Sequence, residues 1–159
     1  MNLRLAEMKK LIGGTGATFS SKITITNPLG NLRHVAKNEF GENLPFSEIY
    51  FSEVQPKAIK AWKFHSRQMQ NISVALGEIR IICVKKSSHE TIFELFELNS
   101  EALHGVLTIP CGIHYALINA SENPTILLNV TDLPHDSTEN LSLPLEYPDF
   151  TTLISEFGN

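Results

Sequence analysis

An antiparallel all-β sandwich or barrel is the architecture this sequence predicts. Apolar and β-branched residues recur in short runs, each closed by Gly, Pro, Asn or Asp, at intervals of roughly ten residues. No helical stretch alternates with these runs as a parallel βαβ fold requires. At 159 residues, 42% hydrophobic and 19% charged, the chain has the length and apolar content of one domain around one core and is not a disordered polymer. The expected layout is a short N-terminal helix and Gly-rich linker over 1–21, a barrel over 22–133 and a surface segment over 134–159.

Taken in order, Leu5, Met8, Leu11 and Ile12 fall on one helical stripe, which predicts an amphipathic helix over 3–12. Gly13-Gly14-Thr15-Gly16 stops it. No Gly-Lys-Ser/Thr follows those glycines and no strand precedes them, so they do not read as a phosphate loop. Strands are expected at Lys22–Thr26, Leu32–Lys37 and Ser47–Val54. The first two are separated by the turn Asn27-Pro28-Leu29-Gly30, and Gln55-Pro56 ends the third. Further strands follow at Glu78–Lys85, Thr91–Leu98, Gly105–Ile109, Ile113–Asn119 and Thr125–Thr131, with Lys85–Glu90 as a polar hairpin connection. Prolines dot the polar segment from Pro134 to Pro148, which predicts a wrap over the surface rather than pairing in a sheet.

The stretch Lys60–Asn71 lies at the centre and runs on through Ile72, Val74 and Leu76 to a turn at Gly77-Glu78. As a strand it places Lys63, His65 and Arg67 on one face and Ala58, Trp62 and Phe64 on the other. Lys57, Lys60, Lys63 and Arg67 crowd here with no acid among them, in a chain of net charge -4. Such a concentration suits a small anionic ligand. It is too narrow for nucleic acid, where several phosphates must be neutralised along a wide footprint. A plainly solvated polar face over a core face is the competing reading.

No apolar run approaches the roughly 20 residues that span a bilayer, and Leu11-Ile12 gives way at once to glycine, so neither membrane nor secretion is expected. A cytoplasmic protein with two buried free thiols, Cys83 and Cys111, is the consequence.

Two pieces of the chain resemble the paired motifs of the cupin superfamily, small jelly-roll barrels built as a double-stranded β-helix. Lys63-Phe64-His65, four residues, Gln70, six residues and Gly77 keep the spacing of the first motif. Pro110-Cys111-Gly112, two residues, Tyr115, three residues and Asn119 keep that of the second. A narrower resemblance is to the dTDP-4-dehydrorhamnose 3,5-epimerase branch, carried by Glu48–Ser52, Lys60-Ala61-Trp62, Gly77-Glu78-Ile79, Leu107–Gly112 and Asn129–Asp136. It implies a homodimeric, metal-free barrel that holds a nucleotide-linked sugar in its interior. The chain departs from that branch in three places. Lys63 stands where the epimerase base falls, Leu133 where its tyrosine acid falls, and Lys85 near its supporting aspartate. The related 3,4-ketoisomerases use a His-x-His pair on this strand, of which His65 is retained.

Proton transfer beside a carbonyl needs a base with a pKa near the working pH, and His65 meets that need without perturbation. Lys63 serves as a charge clamp for a phosphate or enolate oxygen, or as a base if its pKa is pushed down. Tyr115 is a third catalytic candidate or a core aromatic. Lys60, Arg67, Gln70 and Asn119 are the substrate-binding candidates, and His114 should face out of the barrel. Trp62 and Phe64 are expected to pack a subunit interface or a second layer. With Lys63, Gln70 and Tyr115 in place of three of the four cupin metal ligands, no metal and no cofactor are expected. The function is then either an isomerase or epimerase of a nucleotide sugar in polysaccharide synthesis, or a cupin that binds a sugar without catalysis.

Overall fold

A computed structural model describes residues 8–10, 14–36, 46–147 and 150–158. The strands are β1 (Met8–Lys10), β2 (Thr18–Ser21), β3 (Thr24–Ile25), β4 (Leu32–Arg33), β5 (Glu48–Val54), β6 (Ile59–His65) and β7 (Gln70–Leu76). After them come β8 (Glu78–Lys86), β9 (Thr91–Asn99), β10 (Gly105–Ile109), β11 (His114–Ile118), β12 (Thr125–Thr131) and β13 (Asn140–Ser142), and the helix α1 (Thr151–Phe157) closes the chain. One sheet has the order β1-β9-β8-β11-β6-β13 and faces a second of order β2-β10-β7-β12-β5, while β3 and β4 pair as a separate hairpin. This is the expected jelly-roll barrel. The predicted turn at Gly77 is present, its φ of 87° lying in the left-handed region that a Cβ disfavours.

The interior between the sheets is packed by Val54, Ile72, Val74, Ile79, Ile81, Leu98, Leu107, Leu117 and Leu127, among others. A second cluster lies on the outer face of the six-stranded sheet, where Trp62, Ile82, Val84, Phe93, Ala116 and Ile118 meet Phe150 and Leu153 from the C-terminal segment. Because both faces of that sheet are covered, β8 reads as the continuous apolar run Ile81-Ile82-Cys83-Val84 instead of alternating. Trp62 is wholly buried, its ring centroid 4.8 Å from that of Phe150. The apolar face of the central strand is therefore a second layer covered by the chain's own C-terminus, not a subunit interface.

Four expectations need correction. The helix over 3–12 is not found where it can be judged: Met8–Lys10 is a strand running parallel to Thr91–Phe93, and the helix of the fold is α1 at the other end. An isolated ten-residue stripe is marginal as a helix, whereas the open edge of β9 offers ready backbone partners; residues 3–7 and 11–12 lie outside the described residues. Thr18–Ser21, expected as linker, pairs with β10 and belongs to the barrel.

The C-terminal segment does join a sheet. Asn140–Ser142 pairs with Lys63–His65, and Trp62 and Leu143 exchange two backbone hydrogen bonds of 2.8 Å. Its prolines flank that short edge strand without interrupting it. Finally, Cys83 is buried as expected but Cys111 is exposed, because it lies in the turn made by Pro110-Cys111-Gly112, with Gly112 at φ 81°. Among the described residues no helix is long and apolar enough to cross a membrane.

α1 has no side-chain N-cap and only two turns, so burial of Leu153 and Phe150 holds it rather than helix propensity. Leu153→Ala should accordingly cost about 2–5 kcal/mol of stability. Urea unfolding checks this, and a loss under about 1 kcal/mol would contradict the packing described.

Candidate active site

The central stretch forms two strands, not one. β6 ends at His65 in the six-stranded sheet, the chain turns a corner over residues 66–69, and β7 begins at Gln70 in the opposite sheet. At this corner the barrel interior becomes polar. A cavity of about 260 Å³ opens there, lined by Glu48, Tyr50, Lys63, His65, Gln68, Tyr115 and His135. Lys63 and His65 come from β6 and Tyr115 from β11, where Tyr115 pairs directly with Lys63. Glu48 and Tyr50 come from β5 in the facing sheet.

His65 is the hub, only 6% exposed. Its Nδ1 lies 3.2 Å from Glu139 Oε2 and its Nε2 3.3 Å from the Tyr115 hydroxyl, with Gln70 Nε2 at 3.4 Å. The carboxylate fixes the tautomer: Nδ1–H donates to Glu139, leaving Nε2 as the acceptor for the Tyr115 O–H. Glu139 itself is buried and anchored, its Oε1 accepting the backbone N–H groups of Arg67 at 2.6 Å and Gln68 at 2.9 Å.

Burial holds His65 below the ordinary imidazole value; the hydrogen bond and charge of Glu139 oppose that, while Lys63 and His135 push it further down. Near neutral pH the ring is an uncharged base. Burial raises the Glu139 carboxyl, but the N–H groups of Gln68 and Arg67 and the His65 ring outweigh it and leave it below the usual carboxylate range. Burial, then Lys60, lowers the Lys63 ammonium, and burial, with Tyr50, Cys83 and Glu139 adding, raises the Tyr115 phenol so that it keeps its proton.

A dTDP-sugar isomerase from Desulfovibrio desulfuricans is similar to this chain, with 30% sequence identity, a TM-score of 0.77, and 84% of this chain and 87% of that one covered. The chain belongs to the dTDP-sugar isomerase family. Two further structures share the fold of this isomerase-family chain. One is the 4-keto-6-deoxy sugar epimerase NovW of Streptomyces spheroides, at 14% identity and a TM-score of 0.74, with 88% and 75% of the two chains covered. The other is the 3,4-ketoisomerase QdtA of Thermoanaerobacterium thermosaccharolyticum, at 16% identity and a TM-score of 0.63, with 88% and 92% covered; it was solved with TDP-4-keto-6-deoxyglucose. No protein-family model and no curated protein sequence matches the chain.

In this family member the residues singled out from sequence divide sharply. Lys63, His65 and Tyr115 converge on the cavity, and Gln70, 1% exposed, stands behind His65. Lys60 does not line the cavity, since its ammonium donates to the backbone carbonyl of Glu53. Arg67 sits on the corner beyond the end of β6 and pairs at the surface with Asp136 at 2.9 Å, so it has left the face of Lys63 and His65. The Asn119 amide is engaged in the turn after β11, donating to Val54 and Asn123 carbonyls and accepting from Ser121. Lys57 lies against Glu122. The cation cluster of the linear sequence is thus dispersed in space, and Lys63 is the member that reaches the cavity.

His114 does face out of the barrel, where it is half-buried. Its ring packs between Phe64 and Phe150 in the second layer.

Sequence reasoning missed Glu48, Tyr50, Gln68, His135 and above all Glu139. His65 and Glu139 are 74 positions apart, and no motif spacing relates them. Among the described residues no three His, Cys, Asp or Glu side chains group to hold a metal ion.

The electrostatics give a direct test. The His65 ring should titrate below its ordinary 6.5. Glu139→Gln removes an anion that favours the imidazolium and should lower the value further, while Lys63→Met removes a like charge and should raise it. Nitrogen-15 NMR of the imidazole reads all three, and a rise in Glu139→Gln would be the wrong sign.

Proposed function

We propose that this protein catalyses proton transfer beside the keto group of a nucleotide-linked sugar, acting as an isomerase or epimerase on a dTDP-4-keto-sugar-like substrate. The observation that carries the reading is the Tyr115–His65–Glu139 array on the wall of the cavity. In the proposed step His65 Nε2 removes a proton from the carbon next to the carbonyl. The C–H pair becomes the C=C bond of an enolate, and the charge moves onto the carbonyl oxygen. Glu139 stabilises the resulting imidazolium through Nδ1–H, and Lys63 supplies positive charge for the oxygen. The kinship with a dTDP-sugar isomerase supports the substrate class.

A non-catalytic sugar-binding role is not favoured. Binding alone gives no reason to bury an imidazole against a carboxylate with its other nitrogen turned toward a phenol and a cavity.

The same reading takes residues 1–159 as one cupin domain, located in the cytoplasm because a doubly charged sugar nucleotide does not cross a bilayer unaided. It also takes the protein as a homodimer. The outer face of the five-stranded sheet supports this: Ile49 and Phe51 are 54% and 69% exposed on β5, and Phe51 adjoins the half-buried Leu128 on β12. That is apolar surface which a second copy would cover.

Incubating the protein with TDP-4-keto-6-deoxyglucose in heavy water should place solvent deuterium beside the carbonyl, read by proton NMR. His65→Asn should lower kcat by about 100- to 10,000-fold with little change in nucleotide affinity. Unlabelled sugar after prolonged incubation would refute the reading. For assembly, Phe51→Asp should halve the mass seen by light scattering, and a wild-type monomer at tens of micromolar (a range well above the Kd of a stable dimer) would remove the dimer.

A further inference from the structure

We infer that Gln68 and Gln70 form a directional chain of side-chain amides that holds His65 Nε2 as a hydrogen-bond acceptor, so that the ring rests unprotonated at that nitrogen. Both are positioning residues. Their role rests on the proposed function, in which Nε2 takes the proton.

Three side chains face the ring nitrogens, and two of them do not select this state. Glu139 accepts at Nδ1, and its charge favours the imidazolium. Tyr115 lies 3.3 Å from Nε2, but a hydroxyl rotates, so it can donate to a bare nitrogen or accept from a protonated one. Gln70 Nε2 is the third, 3.4 Å from the same nitrogen. An amide donates at one end and accepts at the other, so the effect of Gln70 depends on which end is turned to the ring.

That end is set from outside the ring. The carbonyl of Leu133 can only accept, and Gln68 Nε2 donates to it at 2.6 Å. The wholly buried Thr131 donates its hydroxyl to the same carbonyl at 2.8 Å, which fixes this acceptor. Gln68 Oε1 then accepts from Gln70 Nε2, and the second hydrogen of that amide is the one directed at His65. Turning the Gln70 amide over would set its oxygen against the oxygen of Gln68. Turning both would set the Gln68 oxygen against the Leu133 carbonyl. The placement follows from the corner: Gln70 opens β7 on the inward face that it shares with Ile72 and Val74.

The orientation has a visible cost. Gln70 is buried, and its Oε1 has no hydrogen-bond partner among the described residues. Both hydrogens at the other end of the amide are committed, and the unmet oxygen is the consequence. Charged and titratable groups surround the ring on every side. Burial lowers its proton affinity; Glu139 from the C-terminal segment opposes that, and Lys63 on β6 and His135 after β12 add to it. Burial keeps the phenols of Tyr115 on β11 and Tyr50 on β5 protonated, and Glu48 on β5 accepts the backbone N–H of His135. Gln70 contributes a directed opposition, since a proton on Nε2 would set N–H against N–H.

Gln68→Met keeps the length of the side chain and the backbone contact to Glu139, but removes the acceptor that orients Gln70. Gln70 can then present its oxygen to Nε2–H, and the proton affinity of His65 should rise by about 3- to 10-fold. Nitrogen-15 NMR titration of the imidazole reads this, and the acid limb of kcat/KM for TDP-4-keto-6-deoxyglucose should move to higher pH with it. A merely structural role predicts the other sign, because replacing an amide by a thioether desolvates the ring and lowers its proton affinity. In a Gln70→Leu background the same Gln68→Met change should leave His65 unmoved, since no amide remains to turn. A fall or no change in Gln68→Met, or a rise that persists without Gln70, would overturn the role of the two glutamines. So would a wild-type spectrum at neutral pH with the proton on Nε2, a measurement that needs no variant to fold. Absence of solvent exchange beside the sugar carbonyl in wild-type protein would overturn the proposed function instead, and the NMR titrations would still decide the orientation of Gln70.

Discussion

The Glu139 carboxylate is the interaction on which the site depends. One oxygen accepts the backbone N–H groups of Arg67 and Gln68, and the other faces the His65 ring. The first pair satisfies two donors at the corner where the chain leaves one sheet for the other, and such donors are costly if buried without partners. The second contact fixes the tautomer and orientation of the imidazole. Barrel closure and the alignment of His65 are therefore served by the same group. Asp132 assists at the same corner, accepting the N–H of Met69 at 2.7 Å.

The cavity is electrically mixed rather than strongly basic. Lys63 faces Glu48 across a space that also holds two histidines and two phenols. Such a site favours redistribution of charge within a bound molecule, where a carbonyl oxygen becomes anionic as a neighbouring carbon loses its proton, over simple capture of an anion. Low exposure of His65 strengthens each of these interactions, because fewer waters screen them.

Four of the barrel strands were legible in the sequence because each obeyed a local rule. β10 and β12 match their expected bounds, and β8 and β9 differ from theirs by a single terminal residue. Failures came where a tertiary contact overrode a local pattern. The two-residue alternation was carried past His65 to Arg67, and nothing in that stretch announces a corner stabilised by an acid far along the chain. The C-terminal segment looked like surface from its polarity, yet Leu143, Tyr147, Phe150 and Leu153 bring it onto the sheet. Of the site, Lys63, His65 and Tyr115 could be read because motif spacing puts them on two strands that pair in one sheet. Tyr50 and Glu139 could not, since each is defined only by the fold that brings it to the cavity.

The C-terminal segment begins at the Glu139 carboxylate and finishes in α1, whose seven residues are held mainly by Phe150 and Leu153. Between them lie the three-residue pairing of β13 with β6 and the two hydrogen bonds to Trp62. This is a small cooperative unit laid over a much larger one, and units of that size open at lower free energy than the barrel beneath. Release of the helix would loosen the carboxylate from the imidazole while both sheets remained folded. The temperature at which His65 loses its carboxylate and the temperature at which the barrel melts are then separate properties, and the first is set by a handful of aromatic contacts on the outer side of the sheet, away from the cavity.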